Sequence, residues 1–522
     1  MEEYSVDDPT QLLEAASDFA YYSGVQNDAS AKDFIDRFPL PVIINALQTK
    51  SNIPGLESIL AACLERVFKT KYGASLIPHF MPFIQVGLEA DSQIVRCLAC
   101  KTVTCLLENV NDNSISAAQL IIDHNIYPLL LDCLVNGNEE VATASTEAIK
   151  KLAVFPQGMG IIFPFNTKEA THLGELTTRC SSLGRVRVLA LIVKLFSISS
   201  YVASVIHKSN LLRCFEVEIN NTNDTLATLS VLELLFELSE IQHGKEFLSV
   251  GTLLQLLGSI ISMSTESILR SRAMMISGRL LNKENYNFAD EPSIRAVVSA
   301  IDGILDSSET RDTDECESAL EALGQIGSSI QGAELLLSSS PPAVRHVVDA
   351  AFDRQGRGKQ LAALHALGNI SGETRSENNM ILNSNSEESL RQLIYETASR
   401  TSKLTPSGLI LSVLQQDSET RLAGYRMITG LVARPWFLVE ICSKQDIINI
   451  VTAANTETTK IGMEGRYSCC RAIQKALVSS SGVTSDPSLA GIAAKLQEAV
   501  RIGPYHPKRL EAQPQVMTAD RF

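Results

Sequence analysis

Three observations predict an all-α chain built from stacked helical repeats. A small residue followed by an aliphatic, with another aliphatic three positions further on, returns about every 40 to 47 residues. The composition is 45% hydrophobic but only 6% aromatic, as helix-on-helix packing by Ala, Leu, Ile and Val requires. Alternating strand patterns are missing, and Val-rich stretches such as Val186–Leu189 lie inside helix-length windows. A period of this length is that of HEAT or armadillo repeats, so the expected fold is an α-solenoid of about ten such repeats, wound as a curved superhelix. One repeat cannot bury its apolar face alone. Stacking closes the core and leaves a long surface suited to gripping other proteins.

The elements follow in order. Residues 1 to 45 hold helical patches at Gln11–Tyr22 and Ala31–Arg37, then the breaks of Phe38-Pro39-Leu40-Pro41, and read as an N-terminal helical cap. Residues 46 to 480 carry the repeats. The clearest copies are Ala148-Ile149 with Leu152, Ala322-Leu323 with Ile326, and Ala366-Leu367 with Ile370. Less regular ones centre on Leu64, Val103, Ile192, Leu232, Ile276, Ile428 and Ile473. Polar breaks at 136–139, 310–314 and 416–419 precede long helices and supply Asn, Asp and Ser for N-caps. One step, from Leu367 to Ile428, is about 61 residues, above the usual repeat length. The surplus falls on 372–388, where Asn, Ser and Glu dominate, and reads as an exposed or mobile loop or as a linker between two sub-solenoids. Residues 481 to 522 give one capping helix, Leu489–Val500, and a tail without helical periodicity.

Charge and motifs exclude several function classes. A formal net charge of −14 argues against a nucleic-acid scaffold, since phosphate neutralisation needs a basic stripe. The opening Met1-Glu2-Glu3-Tyr4 is unlike a signal peptide, and no apolar run approaches a membrane span. Eleven scattered cysteines then read as reduced, buried residues of a cytoplasmic or nuclear protein, expected to be a monomer by itself. Cys97 and Cys100 form a C-x-x-C, but neither a second pair nor histidines follow at ligand spacing, so core packing outweighs a zinc role. Gly356-Arg357-Gly358-Lys359 fails as a phosphate loop because Gln360 stands where Ser or Thr should hold magnesium. The Asp312…Asp314 pair lacks the glycine and glutamate of a calcium loop, and no G-x-S-x-G occurs. The sequence therefore names no catalytic residue, cofactor or metal ligand, and the chain is not expected to be an enzyme.

In armadillo-type repeats the last helix of each unit lines the concave face, and the two residues between the buried aliphatics point into the groove. The second of those positions reads Arg66, Cys105, Lys151, Lys194, Leu234, Gly278 or Arg279, Gln325, Asn369, Gly430 and Lys475. None is a carboxylate, in a chain with 59 acids and 45 bases. The first position adds Glu65, Lys150 and Glu233. A neutral-to-basic groove within an acidic protein would steer an acidic or carbonyl-rich partner. Arg66, Lys150, Lys151, Lys194, Gln325 and Asn369 are its candidate contacts. Gln325 and Asn369 also suit an armadillo adaptor that pins the backbone of an extended peptide. Nuclear-import adaptors, however, need repeated tryptophans, and the single Trp here is Trp436.

The C-terminal third carries a closer likeness. Arg434-Pro435-Trp436, then Lys460 to Tyr467 with Arg466-Tyr467 opening a helix, then Gly503-Pro504-Tyr505 and a short tail, resemble the family of 26S proteasome non-ATPase regulatory subunit 5 in identity, order and spacing. That resemblance implies a chaperone for assembly of the regulatory particle base. It would cradle the C-terminal domain of an AAA-type ATPase subunit in the solenoid's concavity and hinder premature docking onto the core particle. Trp436 reads as packing a loop against the next repeat rather than as an interface anchor.

Overall fold

The computed structural model describes residues 9–49, 53–109, 117–164, 172–221, 224–241, 243, 253–282, 291–307, 312–479 and 489–505. No strand occurs among them. The chain divides into two compact units, Met1–Phe247 and Leu248–Phe522, rather than at the 372–388 segment. In each unit the repeats are stacked as an α-solenoid.

In the first unit the helices Pro9–Tyr21, Leu56–Phe68, Gln93–Glu108, Glu139–Ala153, Ser182–Phe196 and Thr225–Glu240 each pack on the next, like rungs of a ladder. Met81–Leu88 and Ile126–Asn136 form a second layer against them. The second unit repeats the plan. Ser267–Leu281, Thr313–Ile326, Arg357–Ser371, Ser418–Leu431 and Lys460–Ser479 form the ladder. Ile330–Ser338 packs on Ser384–Arg400, which meets Pro406–Leu414, followed by Gln445–Thr452 and Ala490–Ile502 in the second layer. The periodic aliphatics are the reason. Leu64, Val103, Ile149, Ile192 and Leu232 in the first unit, and Ile276, Leu323, Leu367, Ile428 and Ile473 in the second, are all buried. They supply the apolar stripe that each helix hides against its neighbours.

The ladder of the second unit is drawn together by small residues. A methyl group added at Gly324 would stand 2.6 Å from the Ala366 Cα and 2.7 Å from its Cβ. At Gly430 it would stand 3.0 Å from the Gly368 carbonyl oxygen. At Gly278 it would stand 3.0 Å from the Ala322 Cα, so Gly430 and Gly278 (the latter expected, as an alternative to Arg279, to face the groove) face a neighbouring rung instead.

Several boundaries move. Helix Leu40–Thr49 runs past residue 45, and Pro9–Tyr21, which buries Leu12, Ala16, Phe19 and Ala20, packs on Leu56–Phe68. The N-terminal helix is thus the first rung of the ladder. At the far end, Ala490–Ile502 packs on Lys460–Ser479 and buries Ile492, Leu496 and Ala499. Residues 480–488 and the tail after Tyr505 lie outside the described residues. Arg466-Tyr467 sit inside the Lys460–Ser479 helix rather than opening it.

The 372–388 segment also differs from expectation. Residues 384–388 are already helical, and Gly372, at φ 97°, closes the preceding helix in the left-handed conformation that glycine tolerates. Between them the chain is tied down. Arg375 donates to the carbonyls of Gly327 (2.8 Å), Ser328 (3.0 Å), Asn369 (3.3 Å) and Ile370 (2.6 Å). Composition alone suggested a loose loop because it does not register a guanidinium saturating helix-end carbonyls.

The expected caps are in place. Asn138, Asp312 and Asp417 accept hydrogen bonds from the first-turn amides of the helices they precede. The Arg357 guanidinium, together with donors from Thr420 and Glu419, overcomes burial and holds the Asp417 carboxyl well below the usual carboxylate range. A carboxylate depressed in the folded state stabilises the fold above its unfolded pKa, about 3.9, and that contribution fades as the pH falls. Asp417→Asn should lower stability at neutral pH and flatten its decline below about pH 4, as urea midpoints across the acid range will show. Gly324→Ala should cost about 1–3 kcal/mol by forcing two rungs apart. Gly303→Ala, exposed in the Glu291–Asp306 helix with nothing within 4 Å, should gain about 0.5–1 kcal/mol in the same urea assay.

Candidate protein-binding surface

The six candidate residues fall on ladder helices, four in the first unit and two in the second. Arg66, Lys150, Lys151 and Lys194 are half-buried on Leu56–Phe68, Glu139–Ala153 and Ser182–Phe196. Each has aliphatic neighbours fixed in the core, so the polar ends emerge on one side of the ladder.

The expected basic groove proves to be a row of mixed charge. Lys151 pairs with Glu108 on the preceding rung at 2.6 Å, and Lys150 with Glu147 at 3.0 Å on its own helix. Glu65 takes Lys69 and, across to the next rung, Lys101, each at 2.7 Å. Burial would raise the Glu65 pKa, but the hydrogen bonds from Lys101 and Lys69 hold it below its ordinary value. Arg66 donates to the Tyr22 carbonyl at 2.7 Å. Lys194 has no ion pair among the described residues. The sequence pattern missed these acids because they sit one helical turn away from the positions it sampled, at Glu108 and Glu147.

Gln325 and Asn369 behave differently. Both side-chain oxygens are enclosed with no hydrogen-bond partner, and the Gln325 Oε1 sits against Gly278 of the neighbouring rung. The Gln325 amide nitrogen donates to Glu321 at 3.2 Å. With their oxygens enclosed, these amides have only their nitrogens to present, as donors to the carbonyls of a peptide.

The landmarks of the C-terminal third are packing devices. Arg434 is 1% exposed and binds Glu387 through two hydrogen bonds of 2.7 and 2.9 Å. It also donates to the carbonyls of Ser371, Gly430 and Met380. Trp436 is half-buried, its ring 5.8 Å from Tyr395 and 5.4 Å from Phe437. Arg466 donates to Val451 at 2.9 Å and to Pro504 at 3.2 Å, drawing Gly503-Pro504-Tyr505 onto the last long helix. These arginines were not among the candidates. The signal for Arg434 would have been a basic residue where a rung meets the next connection, whereas Arg466 lies within its rung and carried none. Cys97, Cys100 and Cys105 are free and buried. No helix among the described residues is long and apolar enough to cross a membrane.

A half-exposed row of paired charges on stacked HEAT/armadillo-type helices defines a scaffold class, the α-solenoid with a polar ladder face. Within that class the chain belongs to the family described as proteasome non-ATPase 26S subunit, which matches residues 56–521. Among its relatives is human (Homo sapiens) 26S proteasome non-ATPase regulatory subunit 5, 19% identical over 458 residues, 86% of each chain. The bovine (Bos taurus) protein of the same name is 18% identical with the same coverage. An engineered protein of known structure aligns with TM-score 0.46 and 15% identity over 81% of this chain and 99% of that one. A score this low leaves the fold resting on the stacking described above.

The two kinds of ion pair should respond differently to substitution. Arg434→Ala strands Glu387 and three carbonyls and should cost about 3–5 kcal/mol, whereas Lys151→Ala should change stability by less than about 1 kcal/mol. Chemical denaturation of both variants provides the check.

Proposed function

We propose that this chain is a non-catalytic chaperone for assembly of the 26S proteasome regulatory particle base. In this reading it works in the cytoplasm, holds the C-terminal domain of an AAA-type ATPase subunit on its ladder face, and hinders premature docking onto the core particle. Family membership supports a role at the proteasome. The observation that carries the binding mode is the row from Glu65 to Lys194 on successive rungs of the first unit. Half-exposed ion pairs contribute little to stability, so exchanging an internal partner for one on a guest domain costs little. Alternating signs also fix the guest's register and disfavour mismatched surfaces.

Affinity purification of the tagged chain should recover ATPase subunits of the base without the mature proteolytic core. Stoichiometric recovery of intact, active holoenzyme would overturn the proposal. Reversing charge at Lys150, Lys151 and Lys194 together should weaken capture of the ATPase at least tenfold and flatten its dependence on salt. Unchanged binding would place the contact surface elsewhere.

A further inference from the structure

The second unit holds a cluster that no part of the assembly reading uses. Asp302 and Asp306 lie one turn apart on the Glu291–Asp306 helix, and His346 reaches them from Val344–Phe352. The His346 Nε2 is 3.3 Å from Asp302 Oδ1 and 3.3 Å from Asp306 Oδ1. One ligand atom from each of the three residues fits within a 4.8 Å span. The imidazole nitrogen is itself fully enclosed and hydrogen-bonded to neither oxygen.

We propose that Asp302, Asp306 and His346 form a binding site for a zinc-class divalent cation that clips these two helices together. The spacing carries the argument. Metal–ligand bonds of about 2.0–2.1 Å arranged tetrahedrally put ligand atoms about 3.3–3.4 Å apart, the separation found on both edges from His346. Two carboxylates and an imidazole are a donor set that favours zinc over magnesium or calcium, which prefer oxygen alone.

The present counterion is Arg345. Its guanidinium lies 2.8 and 3.1 Å from the two Asp302 oxygens and 2.8 Å from Asp306 Oδ1. A dication offers the same carboxylates twice the charge, and Arg345 is one-fifth exposed, beside the solvent into which it would swing. Arg345 is therefore a competitor for the site, and removing it should tighten metal binding. Sequence spacing hides the cluster, because His346 follows Asp306 by a whole intervening repeat.

The test is a zinc titration of the full-length chain against a chromophoric chelator, with the cysteines kept reduced by a non-thiol reductant. The wild type should take up about one equivalent of competing zinc and gain thermal stability from it. Asp306→Asn and His346→Ala should each weaken uptake at least tenfold and lose the thermal shift, while Arg345→Gln should bind several-fold tighter. Should His346→Ala fail to fold, Asp306→Asn and Arg345→Gln decide, the first being 60% exposed. Uptake that Asp306→Asn leaves unchanged, or that Arg345→Gln leaves unchanged or weakens, would overturn the proposal, as would a wild type that takes up none.

Discussion

Everything in this protein depends on the requirement that each rung hide its apolar stripe against the rungs on either side. No helix here owns a complete core. Leu323 and Ile326 are buried because Ser267–Leu281 and Arg357–Ser371 flank them. In the second unit the approach is close enough that Gly324 and Ala366 meet at backbone range. Side-chain volume at those crossings is thereby limited to a hydrogen or a methyl, whatever else changes on the surface. Such contacts involve neighbours only, so stability accumulates rung by rung within a unit.

That nearest-neighbour logic explains which features were legible in the sequence. The aliphatic period maps onto the ladder helices of each unit, Leu64 to Leu232 in the first and Ile276 to Ile473 in the second, and the Asn138, Asp312 and Asp417 caps were visible as polar breaks, because both signals are local. What escaped depended on residues distant in the chain. The Glu108 partner of Lys151 lies one repeat back, so a column of positions that looked basic is nearly balanced. The 372–388 segment looked coreless by composition, yet its own Arg375, and Arg434 from beyond it, tie it to the surrounding helix ends. Gly278 and Gly430 kept the helical register but turned toward a neighbouring rung, the following one for Gly278 and the preceding one for Gly430. At a crossing tight enough to need glycine, the position faces protein rather than solvent.

The polar groups sort into two kinds. Lys150 and Lys151 sit in half-exposed pairs that water screens, leaving them available for exchange with a partner. Arg434 and Arg466 are buried among carbonyls, where they satisfy helix ends that no water reaches. The two conserve different things. The first kind sets what the ladder face can hold, and the second keeps successive repeats in contact.

The clamp formed by Arg434 has a consequence for how this unit can lengthen. One cation gathers Ser371, Met380, Gly430 and Glu387, so both ends of the oversized step are stitched to a single post. Extra residues between those stitches bulge outward without shifting the rungs before or after them. A solenoid can in this way accept an insertion at one point and keep its spacing everywhere else, with the cost of closing the longer excursion growing only as the logarithm of its length.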